Sequence, residues 1–407
     1  MMRIVIVGGG PSGIVSGIFA KRDNNQVIVL ERNANPLKKL LMTGSGKCNY
    51  LNEVYNASCY HSENMNVVDE VLSSQNIQDV KEFFDSIGLL SKVKNGYYYP
   101  YTFQAVTVEK LLVDEAVHRG VEIRNNSLVS KIEKKNDLFY VTCNDQVLEC
   151  EKIVLACGSR AVPKTGSDGM GYQFLRDFSH TVVEPLPALV QLIGKGNYFK
   201  EWDGIRSEVA VELFENNQYR DREEGEIQLT SYGLSGICIF NLSHYVSRGL
   251  KENKREDIHI NFVPFVDIPV TVWLDDYAKK NSYKDLISLL EGFLHYKLAR
   301  ILIRESGLRE EDNYSSLTKD EKFMLCKNLR SFVVPIVGTK DFDSCQICSG
   351  GVSLLEVDSS TMESRIVPNL YIVGELLDMN GKCGGYNLTE CWISGMLAGR
   401  SIGDSND

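Results

Sequence analysis

The chain has 407 residues, 43% of them hydrophobic and 24% charged, and carries a formal charge of −10 from 44 basic and 54 acidic side chains. Its length favours two or three structural units, and its composition excludes disordered, collagen-like and low-complexity classes. The acidic balance disfavours a general polyanion binder, so nucleic acid is not the expected partner, and no apolar run is long enough to span a bilayer. Eleven cysteines without a regular framework read as reduced thiols in a cytoplasmic protein, and the chain opens directly on a strand, which leaves no room for a targeting peptide.

That strand, Ile4 to Val7, is a continuous β-branched run, as a parallel strand buried on both faces requires. It leads into Gly8-Gly9-Gly10-Pro11-Ser12-Gly13, a G-x-G-x-x-G, followed by a helix over 14–21 and a second strand over 26–30 ending in Glu31. The chemistry needs these types at this spacing: Gly8 for the tight turn, Gly10 for backbone approach to a pyrophosphate, Gly13 for helix-on-strand packing. The helix N-terminus attracts the phosphates, and a terminal acid accepts ribose hydroxyls. Strand, glycines, helix, strand and acid in order predict a dinucleotide site, without distinguishing one dinucleotide from another.

The basic, glycine-rich stretch from Lys38 through Lys39, Gly44, Gly46, Lys47 and Cys48 to Asn49 reads as a loop able to wrap a phosphate or ring ligand, or else as a solvated surface loop. Helices are predicted over 77–87 and 107–119, strands over 121–123, 128–132 and 139–147, and a buried strand from 152 that ends in Ala156-Cys157-Gly158. The glycine-rich segment 163–172 precedes another helix. From about 192 to 265 short alternating segments such as 208–214 predict an antiparallel sheet or barrel, and charged helical patterns follow over 271–331, including 286–303. Dinucleotide-fold character returns with a strand over 369–373 ending in Gly374-Glu375, and with a glycine turn, Gly384-Gly385-Tyr386-Asn387-Leu388, opening an apolar helix to about 402. The expected fold is α/β: a Rossmann-like domain over 1–190 and 334–407, an inserted β domain over 191–268 and a helical subdomain over 269–333.

These motifs, with Gly233-Leu234-Ser235-Gly236 and Thr361-Met362-Glu363-Ser364, resemble the bacterial BaiN/RdsA-like flavoproteins (the aminoacetone oxidase family of FAD-binding enzymes), relatives of glutathione-reductase-type FAD proteins. The resemblance covers nearly the whole chain. It implies FAD as cofactor, held at its pyrophosphate by Gly8, Gly10, Pro11, Ser12 and Gly13 and at its adenosine ribose by Glu31, with Arg32 beside it. Val129 would meet the adenine through its backbone, and Ala156 and Gly158 would lie near the dinucleotide. Lys39, Gly44, Gly46, Lys47, Cys48 and Asn49 would wrap the flavin side. Gly374, Glu375, Gly385, Tyr386, Asn387 and Leu388 would border the ribityl chain and isoalloxazine. The inserted domain would cover the flavin face and shape a small-molecule pocket. Two departures stand out: Thr230-Ser231-Tyr232 lacks the histidine that often precedes Gly-Leu-Ser-Gly, and Cys348 replaces a common threonine.

The resemblance implies a reductase that passes hydride from transiently bound NAD(P)H through the flavin to an electron-poor C=C bond, with bile-acid-type steroids as one candidate class. An FAD-dependent amine oxidase using oxygen and a tRNA-associated or non-catalytic FAD-binding protein are the alternatives. No catalytic proton donor is identifiable. Cys345 and Cys348 have C-x-x-C spacing but read as ordinary buried thiols, the six dispersed histidines lack metal-site spacing, and Tyr98, Tyr99 and Tyr101 read as aromatic packing under a loop.

Overall fold

The computed structural model describes residues 1–404. The chain forms two compact units: Met1–Leu186 with the C-terminal segment from Gln346, and Pro187–Cys345.

The first unit begins with β1 (Met2–Val7), α1 (Pro11–Ala20) and β2 (Asn25–Leu30), and continues through β3 (Glu122–Arg124) to β4 (Lys152–Leu155). Ile4, Val5 and Ile6 are fully buried, which explains the uninterrupted apolar run. A three-stranded antiparallel sheet over Val129–Lys135, Leu138–Cys143 and Gln146–Cys150 lies between β3 and β4 in sequence. The single strand expected over 139–147 is therefore two. Asn144 and Asp145 both take positive φ, 47° and 63°, and make the two-residue reversal that asparagine and aspartate tolerate.

In the second unit, β5 (Leu192–Gly194), β6 (Arg206–Glu215), β7 (Gln218–Thr230), β8 (Gly233–Ser235), β9 (Glu256–Asn261) and β10 (Phe332–Thr339) close into a barrel in the order β5-β8-β7-β6-β9-β10. The alternation read over 208–214 places Val209, Val211 and Leu213 in its core. Between β8 and β9 runs α2 (Ile237–Lys251), a helix within the stretch expected to be all strand. Its apolar start imitates a strand, yet Cys238, Ile239, Leu242 and Val246 are buried at helical spacing. α3 (Val270–Lys280) and α4 (Lys319–Arg330) follow β9. The helix expected over 286–303 is two, Leu286–Leu290 and Tyr296–Glu305, each started by its own cap: the Ser288 N–H donates to Asp285 and the Lys297 N–H to His295 Nδ1. These helices share one hydrophobic core with the barrel, including Trp202, Leu298, Leu329 and Phe332.

The chain re-enters the first unit at Gln346, adds β11 (Leu370–Ile372) and ends its described part with α5 (Tyr386–Asp404). β11-β4-β1-β2-β3 form a five-stranded sheet, parallel at every pairing. α5 packs against α1 through small residues: a methyl group at Gly395 would stand 2.6 Å from Ser12 O, and one at Gly399 2.7 Å from Ser16 O. That close crossing sets the tenth residue of α5 beside the second of α1.

Candidate functional site

The three glycines of the β1–α1 turn have different reasons to be glycine. Gly8 has φ 109°, and a Cβ there would lie 2.4 Å from Ala156 O; a Cβ at Gly13 would lie 2.0 Å from Gly8 O. Both are required by the polypeptide itself. Gly10 has ordinary extended backbone, and a Cβ there would meet nothing within 4 Å. The space above it opens on the first turn of α1, whose N-cap has no capping side chain and whose first helical residue is Pro11. An uncapped helix N-terminus behind an unfilled glycine cradle suits a pyrophosphate.

Glu31, 6% exposed, holds this turn in place. One carboxylate oxygen accepts the Gly9 N–H at 2.9 Å; the other accepts the Asn33 backbone N–H at 2.7 Å and its side-chain amide at 2.6 Å. The Ser127 N–H donates to Glu31 O at 2.8 Å, so the segment leading into Val129 crosses beside the acid. Val129 itself is buried at the start of its strand. The 163–172 segment is fastened across the end of β2 by an Arg32–Asp168 ion pair, by Arg32 donating to Gly166 O at 3.1 Å, and by Asn33 Nδ2 donating to Thr165 O at 2.9 Å. Gly158, φ 73°, sits under Ser167, where a Cβ would be 2.6 Å from the hydroxyl.

The C-terminal half of the first unit closes on the same place. Gly374, φ 68°, packs against Ser12, and its N–H donates to Ser394 Oγ at 3.0 Å. Glu375 takes Lys39 Nζ on both oxygens at 2.6 and 2.9 Å and Ser159 Oγ at 2.7 Å, while Tyr172 OH donates to its carbonyl at 3.1 Å. Behind it Glu390 is buried in α5, and burial, with the Glu375 charge added, pushes its carboxyl up to about 8.

The Lys38–Asn49 loop is a run of 3₁₀ turns over Leu40–Gly46, interrupted by left-handed Gly44 and Ser45. Cys48 is fully buried, and burial pushes its thiol up to about 12, so the basic loop does not make it a thiolate. Asn49 Oδ1 is buried without a hydrogen-bond partner and points at Gly385, where a methyl would come within 2.9 Å of it. Gly385, φ 93°, precedes the first turn of α5. An orphaned acceptor beside a second helix N-terminus fits an N–H of a bound heterocycle, because a buried polar atom without a partner costs about 1–3 kcal/mol.

Several residues expected at the ligand have other work. The Asn387 side chain accepts the Gly381 N–H and donates to Gly381 O, both at 2.8 Å, holding the turn before α5. Tyr386 is buried against Tyr60 and Tyr55, and its carbonyl accepts Tyr60 OH at 2.9 Å. Lys47 is exposed, Gly46 closes the 3₁₀ run, Ala156 is buried at the end of β4 and Leu388 is half-buried on α5. Sequence reasoning missed Asn33, Ser159, Tyr172 and Ser394, whose roles depend on pairings more than a hundred residues apart or on one helix face. Cys345 and Cys348 are buried thiols, and no group of described residues has the makings of a metal site. No described helix is long and apolar enough to cross a membrane.

Fold and site together define a protein built on a Rossmann-like nucleotide-binding domain. The chain belongs to the HI0933-like protein Rossmann domain family, whose pattern matches residues 2–401, and the family resemblance read from the motifs is borne out. It is 37% identical over 407 residues to the 3-dehydro-bile acid delta(4,6)-reductase of Clostridium scindens, covering 99% of this chain and 100% of that protein. It is 25% identical over 401 residues to the ribosomal RNA dihydrouridine synthase of Escherichia coli, covering 98% and 97%. A solved structure of the open conformation of a flavocytochrome c3 fumarate reductase is similar over 99% of this chain and 78% of that one, at 14% identity and a TM-score of 0.49.

Proposed function

We propose that the protein reduces an electron-poor C=C bond, of the enone type found in oxidised steroids, with hydride that enters from NAD(P)H. The observation that carries this reading is the similarity to the Clostridium scindens reductase over 99% of this chain and 100% of that protein. FAD supplies reversible two-electron chemistry when bound. The residues of this chain would bind and orient it: Gly8, Gly10 and Gly13 with Pro11 and Ser12 at the pyrophosphate, Glu31 and Arg32 with Val129 at the adenosine end, and Ala156 and Gly158 near the dinucleotide. Lys39, Glu375 and Gly374 support the middle of the cofactor. Asn49 and Gly385 would meet the ring, with the loop of Gly44, Gly46, Lys47 and Cys48 and the first turn of α5 (Tyr386, Asn387, Leu388) supporting them, and the N-terminus of α5 favours negative charge there.

The Escherichia coli relative supports a second reading. Uridine and dihydrouridine differ by saturation of one C=C bond conjugated to a carbonyl, so the same bond chemistry on an RNA base is the alternative. The net charge of −10 speaks against it.

The test is the absorption spectrum of the purified holoprotein before and after anaerobic NADH or NADPH, followed by turnover with steroid enones. Bleaching of flavin bands by nicotinamide and reoxidation by an enone are expected. Bands that persist with both nicotinamides, or that an amine bleaches and oxygen restores while an enone never restores them, would overturn the proposal.

A further inference from the structure

The second unit has a cavity of its own, of about 710 Å³, walled by β7, the segment leading into α3 and the last turns of α4. That volume suits a drug-sized molecule. Its surfaces are of two kinds. Val266 and Cys326 are buried in its floor, while Ile268 and Phe323 stand 50% and 59% exposed at its edge, leaving apolar surface in water. Facing them are Lys327 and Arg330, neither in an ion pair among the described residues. The third cation, Arg222, is already held by Glu224 at 2.5 Å, and the remaining acid of the wall is Asp267.

A separate element adds to the positive side. Val270 and Thr271, the first residues of α3, line the same cavity, and this helix starts at Pro269 with no side-chain cap and no acid in its first turn. Its first N–H groups and dipole end are thus unsatisfied by the protein at the place where two unpaired cations converge. Lys327 and Arg330 also favour the negative end of their own helix, but that role needs neither an apolar wall nor a second helix terminus.

We propose that this cavity binds a small amphipathic carboxylate, with its head on Lys327, Arg330 and the first turn of α3 and its apolar body against Val266, Ile268 and Phe323. A mineral anion would leave the apolar wall unused, and an uncharged apolar molecule would leave the cations and N–H groups unused. The inference stands independently of the redox reading, because it concerns binding to the barrel unit.

The test is calorimetric titration of the flavin-loaded protein with cholate, a rigid ring carboxylate, and with decanoate, a linear one, against decanol and inorganic phosphate. Saturable binding of at least one carboxylate is expected, with decanol and phosphate weaker by about tenfold or more. The Lys327→Ala/Arg330→Ala double variant and, separately, Phe323→Ser should each weaken it by about tenfold while retaining flavin content and melting temperature, since all three side chains are exposed. Which carboxylate titrates identifies a ring or chain ligand. No saturable binding, heat unchanged by the double variant, or phosphate binding as tightly as the carboxylates would overturn the proposal, and the comparison with decanol and phosphate requires no variant to fold.

Discussion

Glu256 and Glu215 stand directly opposite each other on β9 and β6, two carboxyl groups paired across antiparallel strands. Glu256 is 1% exposed, neither of its oxygens has a hydrogen-bond partner, and a methyl group at Gly249 of α2 would lie 1.7 Å from one of them. Burial first, then the Glu215 charge, pushes the Glu256 carboxyl up to about 8, against the countering pull of Lys254 and Arg220 and a further push from Asp257. Lys254 is 3.0 Å from Glu215. The folded chain therefore holds a proton that the unfolded chain releases above its ordinary value of 4.5.

Because the folded state binds more protons, this site lowers stability progressively as pH rises from the ordinary carboxyl range through about 8, and no further beyond. Glu256→Gln should be near neutral at about pH 5 and stabilising by roughly 1–3 kcal/mol at about pH 8. Urea melts of both proteins across that range check it; a difference independent of pH would mean Glu256 is charged when folded.

The nucleotide turn predicts opposite behaviour for two neighbouring glycines. Gly13→Ala places a methyl 2.0 Å from Gly8 O, a backbone atom that cannot give way, so the variant should lose several kcal/mol or fail to fold. Gly10→Ala meets no polypeptide atom and should keep the melting temperature of the flavin-free protein. Its methyl occupies the space offered to the pyrophosphate, so flavin affinity should fall by about tenfold or more. Equal flavin affinity in Gly10→Ala would remove the pyrophosphate from that position.

The dinucleotide turn was legible because local steric rules fix it: the β-branched run, the glycine spacing and the terminal acid all lie within the first 31 residues. The anchor of Glu375 was not. Lys39 and Ser159 approach it from positions 336 and 216 residues away, a relation that exists only once β11 is in the sheet. Motif reading also assigned Asn387 to the ligand from its place after two glycines, whereas its amide is spent on Gly381. Apolar periodicity failed where it was ambiguous, at the start of α2, and where capping residues Asp285 and His295 divide one helical pattern into two.

His180, buried, links half-buried Glu356 to buried Ser364: Nδ1 is 3.0 Å from the carboxylate and Nε2 2.9 Å from the hydroxyl. The order imitates a nucleophilic triad, but Ser364 is 5% exposed and its oxygen already accepts the N–H groups of Ile366 and Val367 at 3.1 and 2.8 Å. It is a structural clasp, and a fluorophosphonate probe should leave Ser364 unlabelled. Burial holds the His180 imidazole below its ordinary 6.5, outweighing the Glu356 carboxylate, so its contribution is present above that value and is lost as pH falls. Ser364→Ala should cost about 1–3 kcal/mol in urea melts at neutral pH, by orphaning those two N–H groups.

The Lys39–Glu375 pair is expected to govern how firmly the cofactor seats. Both partners are partly shielded, with side chains 22% and 18% exposed, so the bond is not a freely solvated surface pair. Lys39→Met leaves Glu375 with Ser159 Oγ as its remaining side-chain donor, and leaves its charge beside Glu390 without a countering cation. Glu375 should then swing toward solvent and take the Gly374 turn with it, weakening flavin binding by about tenfold, the equivalent of one lost charge-assisted hydrogen bond. Glu375→Gln keeps the Ser159 contact and removes the charge left without its cation, so in a Lys39→Met background it should recover part of that loss. Flavin release followed by fluorescence in the single and double variants separates the cases: a double variant no better than Lys39→Met would show that the lysine acts on the cofactor directly, with Glu375 a bystander.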